Sequence, residues 1–199
     1  MKRSAMRTSA IVLCGLAAFQ AATIALFHRL FLPPVFAHWE RLTWLGWLVA
    51  LTVAALYIGY SVRGLAPIRR YFWTVSAFKI TGLAIAIPAA ILEEVFFRQS
   101  VMNALLDRST VIQIAASAVS FGLAHAVWGI RGGWRALIGA VGSTTLMGAA
   151  LAVTFIASNR VILPCIVSHF IITFALEPWL LYAYIDRATS GPRATGAVA

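Results

Sequence analysis

The chain has little charge, and very little negative charge. Only 11% of its 199 residues are charged, and only six are acidic, whereas about 25% of residues are charged in an ordinary soluble domain. Hydrophobic residues make up 61% of the chain. This composition excludes an ordinary soluble protein and indicates an integral membrane protein.

Cysteine is scarce as well. The two cysteines, Cys14 and Cys165, lie in apolar segments and have no CxxC or Cys/His spacing around them. The sequence therefore predicts neither a disulfide framework nor a zinc ribbon. The basic start MKRSAMR followed by an apolar run resembles a signal peptide, but the run at 9–27 is long enough to cross a membrane. We interpret it as an uncleaved first span.

Six apolar runs follow one another, near 9–27, 42–62, 78–106, 110–128, 136–157 and 161–184. Each is predicted to be helical, because backbone groups in lipid must bond within their own segment. Turn-forming residues, such as Pro33 and Pro34, mark the connections. The predicted fold is an all-α membrane bundle of about six transmembrane helices. It forms a single domain at 1–187, followed by a disordered tail at 188–199.

The net charge is +10, but the basic residues are scattered between the apolar runs rather than gathered in one patch. This distribution indicates membrane topology and no nucleic-acid partner. The basic residues expected on the side of the N-terminus are Lys2, Arg3, Arg7, Arg63, Arg69, Arg70, Arg131, Arg135, Arg187 and Arg193; those expected opposite are Arg29, Arg41, Arg108 and Arg160. By the positive-inside rule, both termini are predicted to be cytoplasmic.

The third apolar run contains charged residues in the sequence ILEEVFFRQS, at 91–100. An ionised side chain at the bilayer centre costs roughly 2.5 to 3.5 kcal/mol, so two adjacent carboxylates there indicate a function. Glu94 and Arg98 are four residues apart and share a helical face, where they can form an ion pair. Glu93 is rotated by about 100° around the helix, which leaves it as the candidate general base.

Two histidines are predicted to lie at a similar depth. The turn at 107–110 falls midway between Glu93 and His125, so each lies about 24 Å from the turn in two antiparallel helices. His169 lies about 14 Å inside the outer end of the last run. Taken alone, either histidine fits an interfacial or structural role, as His28 and His38 do. Together with the carboxylates, the two imidazoles predict a site that activates water and stabilises an oxyanion.

Three motifs in this order resemble the CPBP family, which groups type II CAAX prenyl endopeptidases with bacteriocin-processing and immunity-associated membrane proteins. The family pattern EExxxR is met by residues 93–98 and FxxxH by Phe121 to His125. In place of HxxxN or HxxxD the chain has His169 followed by Thr173. The resemblance extends over about 80–180.

What the resemblance implies is a glutamate-dependent intramembrane protease. Glu93 and His125 would activate water, while Glu94 and Arg98 would orient the site. His169 and the residue four positions later would stabilise the oxyanion. That residue is Thr173, so a hydroxyl group would replace the usual amide or carboxyl group, or His169 would act alone or with another donor.

Several alternatives use the same polar residues. Zinc held by Glu93, His125 and His169 would give a metalloprotease, although no cofactor is otherwise expected. A proton-coupled transporter or a non-catalytic scaffold or immunity protein would also place carboxylates and histidines in the membrane. The expected partners are the lipid bilayer and a membrane-anchored or lipid-modified protein or peptide. This protein or peptide substrate would carry a leader peptide, a C-terminal sorting tag or a CAAX-like tail. The Ala- and Arg-rich composition favours a bacterial inner-membrane location.

Overall fold

The computed structural model describes residues 2–130 and 133–190, with side chains up to residue 186. The α-helices are α1 (Arg3–Leu26), α2 (His28–Phe36), α3 (Trp44–Gly64), α4 (Ala66–Tyr71), α5 (Ala77–Glu94), α6 (Thr110–Ala124), α7 (Val127–Ile130), α8 (Gly133–Ala157) and α9 (Leu163–Ser190). A 3₁₀ turn covers Trp39–Arg41, and a π-helical segment, Val95–Met102, continues α5. The described residues contain no strand, so the all-α prediction is confirmed.

Five helices are long and apolar enough to cross a membrane: α1, α3, α8, the described part of α9, and α5 together with its π-helical extension. The remaining predicted span, the fourth run at 110–128, corresponds to α6, which has 15 residues. This helix is about 22 Å long, less than the ~30 Å of a hydrocarbon core. Large apolar side chains such as Phe19, Leu56 and Leu146 are exposed. A surface of this kind suits lipid rather than water.

Helices α5 and α9 form the centre of the bundle. In α9, 67% of the most apolar window is buried, compared with 17% in α1. Gly82 packs against Pro178, and a Cβ atom on Gly82 would lie 2.6 Å from the Pro178 Cγ atom. Further along the pair, Glu94 contacts His169. These two contacts fix the antiparallel register of the helices that carry the charged residues.

Helices α6 and α8 approach each other closely through two glycines. A Cβ atom on Gly148 would lie 3.1 Å from the Ala118 Cα atom. Gly122 faces the Thr145 side chain, and a Cβ atom on Gly122 would lie 2.9 Å from the Val141 carbonyl oxygen. Gly148 belongs to a row of small side chains that recur every four residues along α8, namely Ala140, Thr144, Gly148 and Ala152. Close packing here draws the end of α6 against the body of α8.

The ends of some elements differ from the sequence-based boundaries. Pro33 and Pro34 lie inside α2 rather than in a turn, and the burial of Phe31 and Val35 holds this short helix against the bundle. The fourth apolar run was expected to continue to 128, but α6 ends at Ala124. After Ala124 the backbone N–H groups donate to carbonyl oxygens three residues back, instead of four residues back as in an α-helix.

At the C-terminus, α9 includes 188–190, so the chain is helical slightly beyond the boundary expected at residue 188. The rest of the predicted disordered tail, 191–199, lies outside the described residues.

Candidate active site

The ion pair between Glu94 and Arg98 is fully buried. Arg98 Nη1 lies 3.0 Å from Glu94 Oε1, and both side chains have no exposed surface. Arg98 Nη2 also donates to the Gly148 carbonyl oxygen at 3.2 Å. The guanidinium carbon lies 4.7 Å from the centre of the Phe121 ring, within the range of a cation–π contact. Arg98 therefore connects the end of α5 to both α6 and α8.

Arg98 lies in the π-helical segment that begins at Val95. Such segments widen the helix by one residue per turn and occur frequently at functional sites. Here the Ser100 hydroxyl donates to the Val95 carbonyl oxygen at 3.1 Å, five residues back. The segment starts directly after Glu94, so the carboxylates end a regular helix while the arginine lies in the widened turn.

His169 joins α9 to this ion pair. Its Nδ1 lies 2.7 Å from Glu94 Oε1, and the carboxylate held by Arg98 is the acceptor, so Nδ1 carries the proton. The other ring nitrogen, Nε2, lies 3.8 Å from Glu93 Oε2. The hydrogen bond from Nδ1 to Glu94 therefore fixes the orientation of the imidazole ring, and the second nitrogen, Nε2, points towards Glu93.

His125 lies at the end of α6, where the helix tightens. Its Nδ1 is 2.8 Å from the Phe121 carbonyl oxygen, which can only accept, so Nδ1 is the donor. In the neutral ring, Nε2 is then an acceptor, and it lies 3.6 Å from Glu93 Oε2. The His125 ring also lies 4.4 Å from the Phe121 ring, centre to centre. The early end of α6 thus leaves His125 directed at Glu93.

Exposure separates the charged groups into two sets. Glu93 and His125 keep 18% and 20% of their side-chain surface accessible. His169 keeps 3%, and Glu94 and Arg98 keep none. The accessible pair can meet a substrate or water, whereas the buried groups can act only through the residues that they contact.

Thr173 lies one turn after His169 on α9 and is buried. In the part of the chain that the structure describes, no hydrogen bond joins its hydroxyl to another residue. The structure brings together Glu93, Glu94, Arg98, His125 and His169, but it does not link Thr173 to them directly. His28 and His38 are exposed and lie elsewhere, in the connection between α1 and α3.

The zinc alternative depends on how Glu93, His125 and His169 are arranged. Among the described residues, no group of three His, Cys, Asp or Glu side chains has the arrangement of a metal-binding set. His169 Nδ1 is bonded to Glu94, and the Nε2 atoms of both histidines lie 3.6 and 3.8 Å from Glu93 Oε2. Ligand atoms of a tetrahedral zinc lie about 3.3 Å apart, and zinc-ligating histidines commonly donate their other N–H to a carboxylate. The distances between these side chains therefore leave zinc as an alternative, which the chelation experiment in the Discussion tests.

The part of the chain that carries these residues matches a known protein family. The model of the family described as type II CAAX prenyl endopeptidase Rce1-like matches residues 75–175. The chain belongs to this family. The matched part of this Rce1-like protein contains α5, α6 and α8 with every residue of the site described above. As a member of a protease family with several long apolar helices, the Rce1-like chain is an integral membrane protein of peptidase type. No curated protein and no solved structure shows significant similarity to it.

One acidic residue near the site was missed by the sequence reasoning. Glu177 lies on α9, eight residues after His169, and the charges of Glu93 and His169 act on its carboxyl group. The available signal was its position as an acidic residue inside the last apolar run. Phe121 and the Gly148 carbonyl, which contact Arg98, were not assigned a role either, because only the packing of α6 and α8 brings them there.

Proposed function

We propose that the chain is an intramembrane endopeptidase in which Glu93 and His125 activate a water molecule. The observation that carries the proposal is the distance of 3.6 Å between Glu93 Oε2 and His125 Nε2, on two side chains that are both partly accessible, although Oε2 itself is buried. Both atoms are hydrogen-bond acceptors when the histidine is neutral, and no described residue donates to Glu93 Oε2. A water between them can donate one O–H to each and direct a lone pair outwards.

His169 would stabilise the oxyanion in its doubly protonated form. Because Nδ1 donates to Glu94, a neutral ring would have no proton on Nε2 to offer. An imidazolium carries a proton on both ring nitrogens, so it can donate from Nε2 while Nδ1 stays bonded to Glu94. With His169 protonated, Glu93, Glu94, Arg98 and His169 carry two negative and two positive charges. This balance limits the cost of keeping them in a membrane.

In the reaction, Glu93 takes a proton from the water molecule, and the water oxygen bonds to the carbonyl carbon of the scissile peptide. The carbonyl oxygen becomes negative and accepts a hydrogen bond from His169 Nε2–H, with the Thr173 hydroxyl as the second donor. Protonated Glu93 then gives its proton to the leaving nitrogen, and the C–N bond breaks. One water is consumed, and a carboxylic acid and an amine are released; the acid then gives its proton to solvent and becomes a carboxylate. No covalent bond to the enzyme forms.

The proposed substrate is a membrane-anchored or lipid-modified protein or peptide, cut near a leader peptide, a C-terminal sorting tag or a CAAX-like tail. We place the protein in a bacterial inner membrane with both termini cytoplasmic. Two features support the membrane location and the topology. The basic residues are distributed unequally between the two sides, and the site lies on helices whose outer surfaces suit lipid.

The experiment compares the masses of membrane and exported proteins from cells that express the wild type or Glu93→Ala. We expect an uncleaved precursor to accumulate with Glu93→Ala and with His125→Ala, while both variants remain inserted in the membrane. Identical protein masses in all three strains would contradict the proposal. Proton flux through liposomes that contain the purified protein but no substrate would favour a transporter instead.

A further inference from the structure

Glu177 is a carboxylate in a membrane-spanning helix that has no use in the mechanism above. It lies two residues beyond the end of the family match and is partly accessible. From His169 to Glu177 there are eight residues, or about 12 Å along the helix axis. Glu177 therefore lies to one side of the reacting groups, on the helix that also carries His169.

The directions of the side chains bring Glu177 and Glu93 towards each other. Side chains in an α-helix tilt towards its N-terminus. Helices α5 and α9 are antiparallel, as the contacts of Gly82 with Pro178 and of Glu94 with His169 show. Glu177 thus leans towards the reacting groups and Glu93 leans towards Glu177. The charges of Glu93 and His169 act on the Glu177 carboxyl group.

No lysine or arginine among the described residues pairs with Glu177, and His169, whose charge acts on it, is bonded to Glu94 instead. Glu94 has Arg98 within 3.0 Å, but no hydrogen bond or ion pair to Glu177 occurs among the residues that the structure describes. On the facing part of α5, Lys79 donates instead to the Phe72 carbonyl oxygen at 2.8 Å. Tyr57 of α3 and the site residues Glu93 and His169 also interact electrostatically with Glu177. A lysine or arginine side chain from outside the chain would therefore be the first cation to pair directly with an ionised Glu177.

We propose that Glu177 is a subsite for a lysine or arginine side chain of the peptide substrate. This inference rests on the proposed protease function and names a feature of its substrates. An extended peptide advances about 3.3 Å per residue, so the 12 Å between His169 and Glu177 corresponds to three or four residues. The basic residue is thus expected three or four positions from the bond that is cut, on one side of it.

The test uses a library of synthetic peptides that carry one alkyl chain and a randomised region, incorporated into phosphatidylcholine liposomes with the purified full-length protein. Mass spectrometry of the products gives the cut bonds and the residues around them. For the wild type, we expect Lys and Arg to be enriched about tenfold at three or four positions from the cut, the size of one ion pair in a poorly hydrated site.

Three variants make the test specific. Glu177→Gln is expected to lose the enrichment, and Glu177→Lys is expected to replace it with enrichment of Asp and Glu at the same position. A reversal of preference cannot result from misfolding, because a misfolded protein cuts nothing. Glu40→Gln is the matched control, since Glu40 is exposed in the connection between α1 and α3 and should leave the preference unchanged.

The outcomes separate this inference from the proposed function. Cutting by the wild type without enrichment of basic residues, or with an enrichment that Glu177→Gln retains, would overturn the subsite alone. A wild type that cuts no peptide in the library would overturn both the subsite and the protease function on which it depends.

Discussion

His169 Nδ1 and Arg98 Nη1 both approach the same oxygen, Glu94 Oε1, at 2.7 and 3.0 Å. A carboxylate oxygen that is held by two cationic or donor groups, with no exposed surface, is poorly placed to take a proton from water. The Oε2 atoms of both glutamates lack a donor among the described residues, but only the Glu93 side chain is partly accessible, and no arginine is paired with it. Two adjacent glutamates thus have different surroundings, and the proposed division of roles follows from them.

Replacement of Glu93 by Gln should remove activity without affecting the fold. The amide keeps the volume of the side chain but cannot accept a proton, and loss of a general base costs about 10² to 10⁴ in rate. Single-turnover cleavage of an accumulated precursor by purified protein measures this change. The control is Glu40→Gln, an exposed site that should keep the wild-type rate. A Glu93→Gln rate within about threefold of the wild-type rate, which is roughly the scatter of such assays, would contradict the assignment.

Thr173 is predicted to supply the second donor to the oxyanion. Thr173→Val keeps the shape of the side chain but removes the hydroxyl, and we expect kcat to fall by about 10² or more. Thr173→Asn, which matches the family pattern, should keep or raise kcat. Thr23→Val provides the control, because Thr23 is on α1 and its hydroxyl donates only to the Phe19 carbonyl oxygen. Equal rates for Thr173→Val and wild type would mean that His169 acts without Thr173.

Chelation should leave the activity intact if Glu93 and His125 activate water without a metal. Purified protein treated with a strong chelator, then freed of it by gel filtration, is expected to cleave precursor at the untreated rate. The metal content of the same samples is measured in parallel. Loss of activity that zinc restores, together with about one zinc per chain in the untreated sample, would support the zinc alternative instead.

The helices and the convergence of charged residues could be anticipated from the sequence because both depend on local patterns. The apolar runs determined the spans, and the turn midway between Glu93 and His125 predicted a common depth for the two residues. The structure brings these side chains to within 3.6 Å. The four-residue spacing of Glu94 and Arg98 likewise predicted their ion pair.

Features that depend on packing between distant helices could not be anticipated. The π-helical turn at Val95–Met102 has no known signature in residue types. The early end of α6 depends on i→i−3 bonds at its last turn, where the sequence has no Pro, Gly or charged run directly after Ala124 to mark a helix end. Glu177 was overlooked because its nearness to Glu93 depends on the register of α5 against α9, which Gly82 and Pro178 fix.

The close approach of α6 and α8 predicts a strong effect at Gly122. In Gly122→Ala the new methyl group would collide with the Thr145 side chain and the Val141 carbonyl oxygen. The carbonyl oxygen belongs to the backbone, so it cannot rotate out of the way as a side chain can. We expect a loss of about 1 to 3 kcal/mol in stability and a lower cleavage rate, because His125 follows three residues later. Gly139→Ala is the matched control on α8, where nothing lies within 4 Å of the added atom. Equal thermal stability of both variants would contradict the packing described here.

The buried ion pair predicts an asymmetry between its two members. Arg98→Met leaves Glu94 charged with only His169 as a partner, and removal of one partner of a buried pair costs about 3 to 5 kcal/mol. Glu94→Gln leaves Arg98 with the Gly148 carbonyl and the Phe121 ring, so its cost should be smaller. The double variant, with no charge in either position, should regain most of the loss. Denaturation of the detergent-solubilised proteins, followed by tryptophan fluorescence, gives the four free energies of unfolding. A double variant no more stable than Arg98→Met would mean that Arg98 acts through packing rather than through its charge.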